Sequence, residues 1–366
     1  MDLRETQQGK MPSSSKTIAT SSVAAFTPPY PPSWFDRLLT WMDELPGPTW
    51  IYLVALLIIP FAYLQAVLWW NGALPFPTID LTRAFFIPLT PYVLGFWLYI
   101  RRVARNQLAK FRPALRVTDA EYAELEYTLM YMPARATLVF TLVAIVGNVI
   151  FYSLLPQEYV SLYGADLFSV LSQLIWIQFP ALLLAAVGVF RAVYILRQVN
   201  RVHRRAPQIN LYQAPSLYAF SSLTAQIAIG LIAPVYYLFV TQQTLVMTNP
   251  PLFGAMVFAI VTAVACFILP LREMHNRIVV EKLRLLTEAY TRFENLVTRV
   301  HQAVDANELQ QMDNWHKALS NLVIERDALE KIPTWPWERG TLTGFLTALI
   351  LPIVLWLVTR ILDRLF

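Results

Sequence analysis

Five uncharged amides, Gln65, Asn148, Gln173, Gln178 and Gln226, fall inside long apolar stretches of this 366-residue chain. An amide in lipid must find a hydrogen-bond partner, so each one either bonds to a neighbouring helix or lines a hydrated cavity or pore. Taken singly, interhelical bonding is the commoner use; five in one chain favour a polar path. An ionisable residue would be a stronger signal, because a charge at mid-membrane is costly and marks function by default. The central parts of the stretches hold none, which counts against proton relays and ion-coupled carriers. The four histidines, His203, His275, His301 and His316, lie outside the stretches and form no closely spaced pair. His301 and His316 straddle a turn, but two histidines without thiolate or carboxylate company make a poor zinc site. Phosphate-cradling loops, dinucleotide fingerprints and nucleophile elbows are missing, and 11 glycines leave little material for them. No catalytic residue, metal or cofactor is expected, and the chain reads as a non-enzyme. The single cysteine, Cys266, allows no internal disulfide and reads as a small buried hydrophobe.

The elements that must position these amides are seven apolar stretches, roughly 51–70, 84–100, 137–155, 167–190, 217–240, 252–271 and 342–359. About 18 apolar residues suffice to cross the hydrocarbon core as a helix. The composition, 56% hydrophobic and 14% charged, is far from a soluble balance. The expected fold is therefore all-α, a polytopic membrane helix bundle. Basic residues crowd the connections after the second stretch (Arg101, Arg102, Arg105, Lys110, Arg112, Arg116, Arg135) and the fourth (Arg191, Arg197, Arg201, Arg204, Arg205). The connections 152–166 and 241–251 carry no Lys or Arg. Basic loops stay cytoplasmic, so the N-terminus is expected inside and, after seven crossings, the C-terminus outside. The last stretch contains Pro352 and is followed by Arg360 and Arg364; the alternative to a full crossing is re-entry. The basic loops themselves point to anionic lipid and not to nucleic acid.

Residues 1–32 are rich in Ser, Thr and Pro and read as a disordered tail. Residues 33–49 form an amphipathic helix capped by Ser33, with Trp34, Leu38, Trp41, Met42 and Leu45 at helical spacing. It suits either the headgroup region or packing on the protein. Residues 50–271 make the six-helix membrane region. Within it, Thr118-Asp119-Ala120-Glu121 is a capping box.

Residues 272–332 are expected to form a cytoplasmic antiparallel coiled-coil hairpin. Val279, Leu283, Leu286, Tyr290, Phe293, Val297, Val300 and Val304 alternate four and three apart, a heptad seam. This arm spans about 39 Å at 1.5 Å per residue. Leu309, Met312, Trp315, Leu319, Leu322 and Leu329 offer a matching seam on the return arm. Intrachain packing is the default use of these seams; joining subunits is the functional alternative. Residues 333–366 comprise an interfacial linker, with Trp335 and Trp337 as anchors, and the seventh membrane helix. Prolines bend membrane helices, and Pro270 at the hairpin root and Pro352 in the last crossing are the candidate hinges or gates.

The run from Leu269 to His275, with Glu281-Lys282 and the segment Ile332 to Trp337, resembles an uncharacterised family of bacterial multi-helix membrane proteins. The resemblance covers the C-terminal third. It implies the bacterial inner membrane and no particular chemistry. The layout of crossings and extended cytoplasmic helices is also similar to that of insect odorant and gustatory receptor channels, and such likeness does not carry function.

Three functions fit. The first is an oligomeric channel or pore, with the amides as lining and the hairpin holding a homo-oligomer together. The second is a non-conducting scaffold or accessory subunit whose hairpin docks a cytoplasmic protein partner. The third is a lipid-handling membrane protein with a lateral groove.

Overall fold

The computed structural model describes residues 27–81, 83–115, 117–153, 171, 173–205, 211, 214–307, 309–337 and 339–365. The regular elements among the described residues are all helical, apart from one isolated bridge pairing Pro32 with Pro133. In chain order the helices are α1 (Trp34–Glu44), α2 (Thr49–Trp70), α3 (Leu89–Phe111), α4 (Asp119–Met130), α5 (Ala134–Ser153), α6 (Phe179–Arg205), α7 (Ala214–Thr241), α8 (Gln243–Thr248), α9 (Pro250–Asp305), α10 (Met312–Lys331) and α11 (Arg339–Leu365). A π-helical turn, Leu174–Gln178, leads into α6.

Four helical segments are long and apolar enough to cross a membrane: Thr49–Trp70, Leu174–Arg205, Tyr218–Thr241 and Pro250–Asp305. Shorter apolar helices run over Ala134–Ile150 and Gly340–Leu351. The expected crossing over 84–100 is interrupted for a physical reason. Residues 84–88 are turns, and α3 begins only at Leu89, beside Pro88 and Pro91, so about three apolar turns remain before Arg101. Part of the expected third-to-fourth connection, and the tail before residue 27, lie outside the described residues.

Helices α3, α6, α7 and α9 pack against one another as the centre of the bundle, with α5 on α6, α2 on α3 and α11 on α7. Two glycines receive aromatic side chains from α3. A Cβ on Gly188 of α6 would lie 2.7 Å from the Trp97 indole nitrogen, and one on Gly230 of α7 would lie 2.0 Å from Phe96. The missing Cβ leaves room for each ring, a use of small residues that suits membrane-helix packing. The same contact is sealed by Tyr92, whose hydroxyl donates to the Gly230 carbonyl at 2.7 Å.

Helix α9 continues without a break through Pro270, which is buried. Beyond it, α10 runs back antiparallel along α9. Lys282 donates to the carbonyls of Glu330 and Ile332, both at 2.8 Å, and so satisfies the orphan acceptors at the end of α10. Farther out, Tyr290 donates to Glu330 at 3.1 Å, and Arg292 lies 3.9 Å from Glu325.

Candidate functional site: an apolar cavity over a buried ion pair

A cavity of about 520 Å³ opens between α3, α5, α6, α7 and α9. Its walls carry Leu89, Val93, Phe96 and Trp97 from α3, Phe140, Val143, Ala144, Gly147 and Asn148 from α5, and Leu182, Ala185, Ala186 and Gly188 from α6. Gly230, Leu231, Pro234 and Leu238 of α7 and Leu252, Ala255, Met256 and Ala259 of α9 complete it. The space exists because alanines and glycines occupy facing positions where larger side chains would interdigitate. A Cβ on Gly147 would meet nothing within 4 Å. Among the described residues, no Asp, Glu, Lys, Arg or His lines the cavity, and the Asn148 amide nitrogen bonds back to the Ala144 carbonyl at 2.9 Å. The volume lies in the range of small-molecule sites, which are concave, mostly apolar and carry few polar groups.

Beneath Trp97 lies a charged cluster. Arg191, in the α6 turn after Gly188, is ion-paired with Asp36 of α1; their side chains are 1% and 0% exposed. The second guanidinium nitrogen, Nη2, donates to the Met130 carbonyl at 2.9 Å. Asp36 Oδ2 accepts from the Met132 amide at 2.8 Å and from the Ser33 hydroxyl at 2.6 Å. Ser33 in turn caps α1 by accepting from the Asp36 amide at 3.1 Å. The guanidinium carbon lies 5.5 Å from the Trp97 ring centroid and 5.8 Å from that of Phe35, within cation–π range. Buried charge is tolerated only when paired and hydrogen-bonded, and the pair gathers three chain segments to meet that need.

The segment before α1 is tied to the same place. Tyr30 shares a 2.6 Å hydrogen bond with the Tyr194 hydroxyl and lies 2.9 Å from the Tyr131 carbonyl. Tyr127 donates to the Tyr30 carbonyl at 2.7 Å. Residues 30–32, assigned from sequence to a disordered tail, are thus fastened to the bundle. Helix α1 packs on the protein through buried Phe35, Leu39 and Met42, leaving Trp41 exposed.

The five amides divide between different places. Gln65 bonds to the backbone of Asp80 at 3.1 Å. Gln226 donates to Ser222 on its own helix at 3.0 Å. Asn148 lines the cavity. Gln178 accepts from Tyr152, one turn beyond Asn148, at 3.0 Å, while its amide nitrogen has no partner among the described residues. Gln173 is buried at the π-helical turn. Asn148 and Gln178 are therefore neighbours through Tyr152, whereas Gln65 and Gln226 are engaged elsewhere.

On the hairpin, the rows separate. Val279, Leu286, Phe293, Val297, Val300, Leu319 and Leu322 are half-buried, but Leu283 and Tyr290 are 59% and 49% exposed, and Val304 is 48% exposed. Ala289 and Leu329 supply the buried contacts instead. Trp335 and Trp337 stack on each other at 4.5 Å between ring centroids. Trp335 also covers His275 at 4.2 Å, and Trp337 reaches Phe267 of α9 at 5.6 Å. Pro352 falls within α11. Among the described residues, no group of three or more His, Cys, Asp or Glu is placed to hold a metal ion.

Sequence reasoning missed Asp36, Tyr30 and the burial of Arg191. A signal was present: Asp36 stands one residue from Phe35 and three from Leu39, on the face that α1 buries. Counting Arg191 as a loop charge obscured its partner.

The chain matches no protein-family model, no curated protein and no solved structure. Fold and site together define an all-helical protein with several apolar helices, four of them long enough to cross a membrane.

Proposed function

We propose that this is a lipid-handling integral membrane protein, and that the cavity holds the hydrocarbon part of a lipid-like molecule. The supporting observation is the 520 Å³ space walled by apolar side chains from five helices. A void of that size lined by alkyl and aromatic groups excludes water, which needs two to four polar partners. In a bilayer the available filler is an acyl chain. Seven crossings, with α3, α5 and α11 completing the count, and a bacterial inner membrane belong to the same proposal.

Purification into nanodiscs followed by mass spectrometry of retained lipid tests it. A stoichiometric lipid is expected on the parent protein. Gly147→Phe, which projects a ring into open space, should abolish its retention without altering the thermal unfolding midpoint. Loss of the proposal follows if no lipid is retained or if Gly147→Phe retains it fully.

A second reading, assembly through the hairpin as a homo-oligomeric scaffold or pore subunit, is favoured by one observation. Leu283 and Val304, three heptads apart on α9, mark an apolar row that α10 leaves exposed. Such a row is what a further helix would cover in a coiled coil. The pore form of this reading has less support, because Gln65 and Gln226 are not brought to the cavity.

A further inference from the structure

We propose, on the reading of the cavity as a lipid site, that Asn148, Tyr152 and Gln178 hold the polar end of the bound molecule. That end is an uncharged oxygen acceptor, a carbonyl or ester, carried on a long hydrocarbon chain.

Ala144 and Asn148 line the cavity on α5, and Tyr152 extends their row at the same spacing by one turn. Leu182 and Ala185 line it on α6, and Gln178, at the end of the π-helical turn, extends their row likewise. The two rows are joined where the Tyr152 hydroxyl donates to the Gln178 side-chain carbonyl at 3.0 Å. Ile177 belongs to an apolar cluster against which Phe86 packs, and Phe86 also lines the cavity. The π-helical turn thus sits at the Phe86 end of the cavity. Gln178 is 1% exposed, yet its buried amide nitrogen has no hydrogen-bond partner among the described residues. An idle donor in an apolar setting is costly, and native proteins seldom leave one without a reason. An acceptor oxygen on a ligand relieves that cost. A phosphate or carboxylate would need a countercharge, and among the described residues none lines the cavity. A carbonyl or ester needs only the amide. Phe140 and Gly188, also in the wall, lie about 16 Å farther along α5 and α6. A molecule held by its carbonyl at Gln178 therefore lays its hydrocarbon along the apolar wall toward them.

Equilibrium binding to the full chain in detergent tests the assignment, with retained molecules counted by mass spectrometry. The probes are methyl oleate, a prenylated quinone and octadecene: an ester, a ring carbonyl and an oxygen-free hydrocarbon. The parent protein should retain at least one carbonyl probe about tenfold better than octadecene, the worth of one hydrogen bond. Which carbonyl probe it prefers distinguishes an ester lipid from a quinone. Gln178→Leu should bring that probe down to the level of octadecene and leave octadecene itself unchanged. Gln178→Met, unbranched and likewise without a donor, serves if Gln178→Leu does not fold. Octadecene held as well as both carbonyl probes, or a preference that survives in the Gln178 variant, overturns the assignment and leaves the cavity a lipid site. Stronger retention of the oleate anion than of methyl oleate overturns the uncharged class. No retention of any probe removes the lipid site and the assignment together.

Discussion

Arg191 of α6 and Asp36 of α1, 155 positions apart, are ion-paired with both side chains withdrawn from solvent. Every oxygen of the carboxylate is engaged, by Arg191, the Met132 amide and Ser33. The arrangement is costly to desolvate, and its net contribution to stability is small or even unfavourable against a well-packed apolar substitute. Removing one partner is a different matter, because it strands a charge.

Asp36→Ala should therefore destabilise the protein by about 3–5 kcal/mol, the usual cost of leaving a buried charge alone. The paired change Asp36→Leu with Arg191→Met should cost far less. Thermal unfolding in detergent, followed by helical circular dichroism, measures both. Equal losses for the single and paired variants would show that volume and not charge governs the site.

The capping box ties α4 to pH. Glu121 accepts from the Thr118 backbone at 2.8 Å, and the Thr118 hydroxyl accepts from the Glu121 amide at 3.3 Å. These bonds, the backbone one foremost, hold the Glu121 carboxyl below its ordinary range. A carboxyl depressed in the folded state contributes stability that is complete above its unfolded pKa and is lost as pH falls through the folded value. The protection of amides at the start of α4, relative to their intrinsic exchange, should therefore fall on acidification below about pH 4, and Glu121→Gln should flatten that dependence.

The hairpin makes a claim about assembly. Leu283→Glu and Val304→Glu alter residues that α10 leaves exposed, so they should leave the hairpin folded. Leu329→Asp strikes a fully buried position and should unfold α10. If the exposed row joins copies, the two surface changes should convert an oligomer to a monomer by light scattering. A monomeric parent protein removes the homo-oligomeric scaffold and pore readings together.

What could be read from sequence was governed by periodicity. The α4 capping box, the Ser33 cap and the all-helical class all follow from local patterns. Each depends on residues within about two turns of one another. The cavity could not be read this way. Gly147, Ala186 and Ala255 look like ordinary membrane-helix residues, and only the three-dimensional alignment of small side chains leaves a hole. Asp36 escaped for a related reason: a carboxylate on a surface helix has no local mark of a distant arginine. The seam shifted because heptad spacing identifies a row of apolar residues without naming the partner that covers it. Residues such as Leu283 satisfy the spacing yet face away from α10.

Gly230 offers the sharpest link between packing and the proposed cavity. An added Cβ there would sit 2.0 Å from the edge of the Phe96 ring, so Gly230→Ala must displace something. The backbone of α7 is held by the Tyr92 hydroxyl on the Gly230 carbonyl, whereas the Phe96 ring borders the empty space. The ring is the part free to move, and its escape route is into the cavity. The stability cost should consequently stay near the low end of overpacking, about 1 kcal/mol, while the volume open to a lipid chain shrinks. Gly230→Ala is expected to lose lipid retention with a small change in unfolding midpoint, and adding Phe96→Ala should restore retention. A large fall in midpoint with retention intact would mean that the helices part instead, and that the cavity does not govern binding.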